Sequence, residues 1–290
     1  MRIARAPGEL EPARRAVAVG TFDGVHRGHR RVLEAVHEAA PDLRSTVVTF
    51  APHPRAVLGN RVELLTTLER RLELFADLGI DETLVVEFTS ALAGTEPQAF
   101  AEDLLRPIGT RRVVAGVDFR FGHRRAGDLE LLERLGFEVE PVELLSGVSS
   151  SSIRELLARG AVEPAAEALG RPPEVDGTVV AGEARGGTLG FPTANLRTDL
   201  ELLVPANGIY AGWAQGHRAA ISIGTNPHYG GRERRVEAFL LDFNGDLYGQ
   251  RLLVQLWRRL RAEQAFGSEA ELIAQIARDV EEARRASPPS

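Results

Sequence analysis

Two histidines three residues apart, His26 and His29, stand where an apolar run gives way to a helix in GTFDGVHRGHRRVLEAV (Gly20–Val36). The preceding run, Ala16–Val19, reads as a short buried strand, and Val32, Leu33 and Val36 mark one side of an amphipathic helix. Gly20, Gly24 and Gly28 lie between them. A strand, a glycine-rich turn and a helix start point backbone N–H groups at an anion, so Gly20, Thr21, Phe22, Asp23 and Gly24 are candidate phosphate-binding residues. Residues three apart on a helix share a face. Both imidazoles would then flank the anion and offset charge developing on a phosphate in transfer. A zinc pair is the weaker alternative: helical zinc pairs usually come as H-E-x-x-H, and no third ligand is placed nearby. Two exposed turn histidines are the plain alternative.

Other stretches raise comparable questions. TFAPHP (Thr49–Pro54) and GVDFRFGHRRAGD (Gly116–Asp128) each end a strand-like run. Asp118 falls where a ligand would lie, as a metal or ribose contact or as a turn cap. GVSSSSIRELL (Gly147–Leu157) puts four serines and Arg154 at a helix start. Ser150, Ser151 and the arginine fork can form a phosphate cradle, or the stretch is an ordinary serine cap. VVAGEARGGTLGFPTANL (Val179–Leu196) is glycine-rich and follows a strand. Gly182, Arg185, Gly186, Thr188 and Gly190 are therefore candidates for a second phosphate loop, against a flexible connecting loop. Thr193 and Asn195, two apart on an extended segment, can offer two oxygens on one side, which suits Mg²⁺. In RRVEAFLLDFNGDLYG (Arg234–Gly249), Val236, Ala238 and Leu240 share one face and Glu237 takes the other. Glu237 is either the solvent side of a strand or a carboxylate able to take a proton from an attacking hydroxyl.

The elements that must hold these residues change character along the chain. Strand-like runs at Ser45–Phe50, Asp81–Phe88, Arg111–Val117 and Phe137–Leu144 alternate with helical patterns at Thr66–Leu78, Pro97–Leu105, Asp128–Leu135 and Ser152–Arg159. Such alternation predicts a parallel sheet covered on both faces, with ligands beyond the carboxyl ends of its strands. After Arg171-Pro172-Pro173 the runs shorten: Asp176–Ala181, Ile209–Ala214, Arg218–Ile223, Arg235–Phe243 and Leu252–Leu256, separated by glycine and asparagine turns. These predict a small antiparallel barrel, closed by a helix from Ser268 to Arg285 with a Ser268/Glu271 capping box. Two domains follow, 1–172 and 173–290.

Composition narrows the function classes. The 290 residues are 43% hydrophobic and 26% charged, enough for an ordinary globular core. The net charge is −6 and no basic block occurs, which argues against nucleic-acid binding. Without cysteine there is no disulfide, thiolate nucleophile or cysteine-ligated metal. All 35 basic residues are arginine, so a Gly-Lys-Ser/Thr phosphate loop is excluded. No apolar run approaches the ~18 residues of a membrane helix, and MRIARAPGELEPARR lacks the apolar core of a signal peptide. The expectation is a soluble cytoplasmic protein, a monomer or weak homo-oligomer, acting on small molecules without nucleic acid or membrane.

GTFDGVHRGH, TFAPHP, LLTTLERR, GVDFRFG and VSSSSIRELL, in this order, resemble the adenylyltransferase half of the bacterial bifunctional riboflavin kinase/FAD synthetase family. LGFPTANL, VEAFLLDFNGDLYG and LRAEQAF (Leu260–Phe266) resemble its riboflavin kinase half. The resemblance implies a Rossmann-like α/β nucleotidyltransferase domain followed by a small antiparallel β-barrel with a C-terminal helix. It implies that the barrel phosphorylates riboflavin with ATP to FMN, and that the α/β domain adenylylates FMN to FAD with release of pyrophosphate. By the same resemblance Thr193 and Asn195 hold Mg-ATP, Glu237 is the general base, and Asn226, Glu237, Arg261 and Glu263 border the flavin. His26 and His29 would stabilise the reacting α-phosphate, with Ser150, Ser151 and Arg154 on the pyrophosphate. The chain departs from the family pattern at His228-Tyr229, usually Thr-Phe, and keeps only Arg185 as a basic residue in the second phosphate loop. A riboflavin kinase alone, transfer of another nucleotide such as CMP, and a flavin-sensing module without turnover are the competing readings.

Overall fold

The computed structural model describes residues 1–39, 42–143, 145–182, 190–225 and 234–289. The chain forms two compact units, Met1–Val62 with Leu68–Val148, and Glu63–Thr67 with Ser149–Ser290. Among the described residues, no helix is long and apolar enough to cross a membrane.

The first unit is a parallel sheet of six strands: β1 (Arg2–Ala4), β2 (Arg15–Val19), β3 (Arg44–Ala51), β4 (Glu82–Glu87), β5 (Thr110–Gly116) and β6 (Glu138–Val142), in the order β1-β4-β3-β2-β5-β6. Its helices are α1 (Arg27–Glu38), α2 (Pro54–Val57), α3 (Leu68–Asp77), α4 (Ser90–Ala93), α5 (Pro97–Phe100) and α6 (Leu129–Arg134). All five residues of β2 are buried, and the four from Ala16 to Val19 serve two cores. Val17 and Val19 face the core of Phe100, Leu105 and Leu132, whereas Ala16 and Ala18 face that of Leu33, Val36 and Phe75. A strand buried on both faces is apolar throughout, which is why Ala16–Val19 reads as an unbroken run. The sheet grows outward from β2 in both directions, and such a switch point opens a crevice beyond the carboxyl end of the strand.

The second unit closes β7 (Glu174–Val180), β8 (Ala194–Thr198), β9 (Gly208–Ala214), β10 (His217–Thr225), β11 (Arg234–Leu240) and β12 (Arg251–Arg261) into an antiparallel barrel, in the order β10-β11-β8-β7-β12-β9. Helices α7 (Ser150–Ala158) and α8 (Val162–Leu169) share the core of the barrel through Ile153, Leu157, Val162 and Leu169. Helix α9 (Glu269–Arg285) packs Ala283 against Ala211 and Trp257 on the outer wall.

Several elements differ from the sequence-based expectation. Pro97–Leu105 is α5 followed by a wider i→i+5 turn over Ala101–Leu105, and Arg106 N–H donates to the Ala101 carbonyl. The strand expected to run to Phe243 ends at Leu240, and the one expected over Leu252–Leu256 runs to Arg261. Strands β1 and β8 and helix α8 were not foreseen. At α9, Ser268 accepts from Glu271 N–H as expected, but the Glu271 carboxylate accepts from Gly267, one residue before the cap.

Candidate active sites

Beyond β2 the chain makes a tight turn in which Phe22 (φ 48°) and Val25 (φ 40°) are both left-handed. That conformation is costly for a β-branched residue, and strain of this kind collects at functional sites. Asp23 and His26 are buried within the turn. His26 is the N-cap of α1, where its Nδ1 accepts from His29 N–H at 3.3 Å. The neutral His26 ring therefore carries its proton on Nε2. A Cβ on Gly28 would lie 3.2 Å from the His26 ring, so the glycine between the histidines makes room for the cap. The two imidazoles stack with centroids 3.6 Å apart and planes inclined by 18°. The Phe22 ring packs at right angles to His29 and to Phe75, with centroids 5.3 and 5.8 Å away. Burial first, then the charge His26 carries when protonated and that of Arg71, hold the His29 imidazole well below its ordinary pKa. Its Nδ1 is buried without a hydrogen-bond partner among the described residues.

Gly20, Thr21, Phe22, Asp23, Gly24, His26 and His29 are thus brought together at the N-terminus of α1. Asp118 lies exposed in the turn after β5. The serine stretch belongs to the second unit. Ser149 is the N-cap of α7 and forms a reciprocal capping box with Ser152. Ser150 and Ser151 are the first two helical residues, and Arg154 Nε donates to the Glu63 carbonyl at 2.6 Å.

On the barrel, alternation along β11 buries Val236, Ala238 and Leu240 and turns Glu237 outward. Glu237 pairs across the sheet with Asn195 of β8 on one side and Ser222 of β10 on the other. Thr193 Oγ1 lies 3.5 Å from Glu237 Oε2, and Arg235 holds Glu237 Oε1 at 3.3 Å. The Asn195 amide donates to the Thr193 carbonyl at 3.4 Å. A Cβ on Gly182 would overlap the Asn195 amide, so only glycine lets the loop strand approach this closely. The Thr193 hydroxyl, the Asn195 Oδ1 and a neighbouring carboxylate are hard oxygen donors of the type Mg²⁺ takes. Gly190, at φ +85°, ends the described part of the loop. Arg185, Gly186, Thr188, Asn226, His228 and Tyr229 lie outside the described residues.

Of the flavin candidates, Arg261 forms a fork with Asp279 of α9, at 3.0 Å from Nε and 2.7 Å from Nη2. Glu263 accepts from the Asn207 amide at 2.8 Å and lies over Gly224.

The sequence reading missed Arg71. This residue of α3 is 2% exposed, and its Nη1 donates to the Thr21 carbonyl at 2.6 Å and approaches Thr49 Oγ1 at 3.4 Å. A signal for it existed. Leu68, Arg71, Leu72 and Phe75 follow the i, i+3, i+4, i+7 spacing of a buried helix face.

The family model for FAD synthetase matches residues 9–153, and that for riboflavin kinase matches residues 169–287. The bifunctional riboflavin kinase/FMN adenylyltransferase of Listeria monocytogenes is 35% identical, with 93% of this chain and 91% of the relative covered. The same enzyme from Escherichia coli K12 is 36% identical over 91% of this chain and 90% of the relative. A crystal structure described as a macrolide-efflux protein from Streptococcus pneumoniae matches with a TM-score of 0.88 at 30% identity, covering 98% of this chain and 99% of that one. Both halves are matched in order and the relatives are aligned nearly end to end, so the chain belongs to the bifunctional riboflavin kinase/FMN adenylyltransferase family.

Proposed function

We propose that the chain carries out both reactions of its family, with riboflavin phosphorylation assigned to residues 173–290 and adenylylation of FMN to residues 1–172. The observation that carries this reading is the presence, in one chain, of a His-capped helix start at the sheet switch point and of Glu237 beside Thr193 and Asn195 on the barrel.

In the kinase reaction, Glu237 takes the proton of the ribityl 5′-hydroxyl as its oxygen attacks the γ-phosphorus of ATP, and ADP leaves. Arg235 orients the carboxylate through Oε1, leaving Oε2 on the Thr193 side. Thr193 and Asn195 would hold Mg²⁺, which when bound with ATP offsets the phosphate charge. The backbone around Gly182 and Gly190, with Arg185, Gly186 and Thr188 from the intervening loop, cradles the phosphates. Asn226, Arg261 and Glu263 border the flavin; Arg261 does so by holding the end of β12 on Asp279.

In the adenylyl transfer, a phosphate oxygen of FMN attacks the α-phosphorus of a second ATP and pyrophosphate leaves. FMN supplies its own nucleophile, so the protein supplies position and charge. The N–H groups of the Gly20–Gly24 turn and α1 face the phosphates, and His26 and His29 donate to the oxygens that gain charge. The motif assigns Ser150, Ser151 and Arg154 to pyrophosphate, and Asp118 to the nucleotide.

A chromatographic time course of the purified chain with riboflavin, ATP and Mg²⁺ tests the reading. FMN appearing first and FAD later is the expected result. FMN alone would remove the second activity, and no phosphorylated flavin would remove both.

A further inference from the structure

Two arginines are buried among the described residues, and they are built differently. Arg15, 1% exposed at the start of β2, meets the Glu82 carboxylate with Nε at 2.7 Å and backbone carbonyls of Glu11 and Ile108 with its other nitrogens. It is a closed structural ion pair. Arg71 meets only the Thr21 carbonyl and the Thr49 hydroxyl, and its Nε–H is buried without a partner among the described residues. The Asp23 carboxylate acts on it through space, while burial opposes its charge. A buried guanidinium this incompletely bonded is costly unless an anion comes close. The nearby element able to receive one is the turn whose Thr21 carbonyl it holds.

We infer that Arg71 is a positioning residue for adenylyl transfer: its buried guanidinium fixes the Thr21 carbonyl, and with it the Gly20–His29 turn, and supplies that turn's permanent positive charge toward the ATP phosphates. The inference rests on the reading of this turn as the nucleotide-transfer site. It deepens that reading by dividing labour. The histidines work as neutral donors, and the fixed charge belongs to an arginine that does not touch substrate. The groups acting on His29 agree. The stacked His26 ring and Arg71 both disfavour a positive charge on His29, and the Phe22 ring packs against it at right angles; the buried Asp23 carboxylate of the same turn acts on Arg71, whose charge it favours.

The test uses the full chain, with FAD formation from supplied FMN and ATP measured beside FMN formation from riboflavin, which serves as a folding control. Arg71→Gln should lower kcat for FAD formation on the order of tenfold to hundredfold, as expected for loss of one buried charge near a phosphate, while FMN formation is retained. With Arg71 gone, His29 takes up a proton at higher pH, nearer its ordinary 6.5, so activity is lost earlier on acidification and the acid limb moves upward. Arg71→Lys keeps the charge without the fork, and should hold the acid limb in place while lowering the rate. FAD formation in Arg71→Gln within about threefold of the parent, with an unshifted profile, overturns the inference. Should Arg71→Gln lose both activities, Arg71→Lys decides alone: a lowered rate on an unshifted profile supports the assignment, and parental kcat and KM overturn it. No FAD from the parent chain would sink the nucleotide-transfer reading itself, whereas FAD formation indifferent to Arg71 sinks only this inference.

Discussion

At the end of β2 the chain places His26 and His29 by bending its backbone, with two non-glycine residues held left-handed over buried Asp23 and Arg71. On the barrel it places Glu237, Asn195 and Ser222 by strand register alone, side by side on β11, β8 and β10. The first arrangement suits an anion whose charge rises during the reaction. Strain and buried polar groups pre-aim donors that would otherwise be solvated. The second suits a proton transfer, where one carboxylate must keep a fixed distance to a hydroxyl and its own pleat already fixes its direction. The turn should therefore be sensitive to changes of backbone and neighbouring charge, and the barrel face to the chemistry of one side chain.

The largest effect should come from Glu237→Gln, which keeps shape and removes the base. FMN formation should fall about 10²–10⁴-fold, with FAD formation from supplied FMN unchanged. An equal fall in both rates would break the division between the two sites. The next is His26→Asn with His29→Asn. Asparagine keeps an N-cap acceptor for α1, so loss of the imidazoles is read without loss of the helix start. FAD formation should fall about 10²–10³-fold and FMN formation should persist. Survival of FAD formation would leave the turn as a binding element only.

The contrast also explains what the sequence made legible. Ala16–Val19 and the glycine turn could be read because a strand buried on both faces is apolar throughout and ends where its chemistry begins. Glu237 was legible because period two exposes one odd residue between Val236 and Ala238. Helix α8 was hidden by Pro164, which reads as a break but falls in the first turn, where proline is tolerated. Three residues of β1 carry no period at all. Arg71 was hidden by its type. In LERR an arginine next to another arginine reads as a solvated charge, and only the packing of α3 against the turn buries Arg71. Arg261 was named from its motif, but its ion pair was hidden by distance, since its partner Asp279 is on a helix joined by tertiary contact, not by pattern.

Arg261 gives the third prediction. Its fork to Asp279, with side chains 19% and 6% exposed, ties the end of β12 to α9. Arg261→Ala should cost about 1.5–3 kcal/mol of stability in the denaturant-induced transition, because the buried carboxylate loses its charged donor. Asp279→Ala should match it, and the double variant should cost less than the sum. KM for riboflavin should rise with loosening of the β12 end in either single variant. A rise confined to Arg261→Ala, with stability unmoved, would make Arg261 a direct flavin contact instead.

The smallest effect separates the four serines of VSSSSIRELL. Ser149 and Ser152 are committed to each other, each bonding the other's backbone N–H at 3.1 Å. Ser149→Ala should therefore cost about 1 kcal/mol of stability while leaving KM for ATP in FAD formation unchanged. Ser150 and Ser151 are the first two residues inside α7, where a hydroxyl adds little to the helix itself. Replacing both with alanine should raise KM for ATP in FAD formation by more than it shifts the unfolding midpoint, as expected of hydroxyls that serve the pyrophosphate. The reverse pattern, with stability lost at Ser150 and Ser151 and KM shifted at Ser149, would mean that the cap itself contacts the nucleotide and that the resemblance assigned the wrong pair.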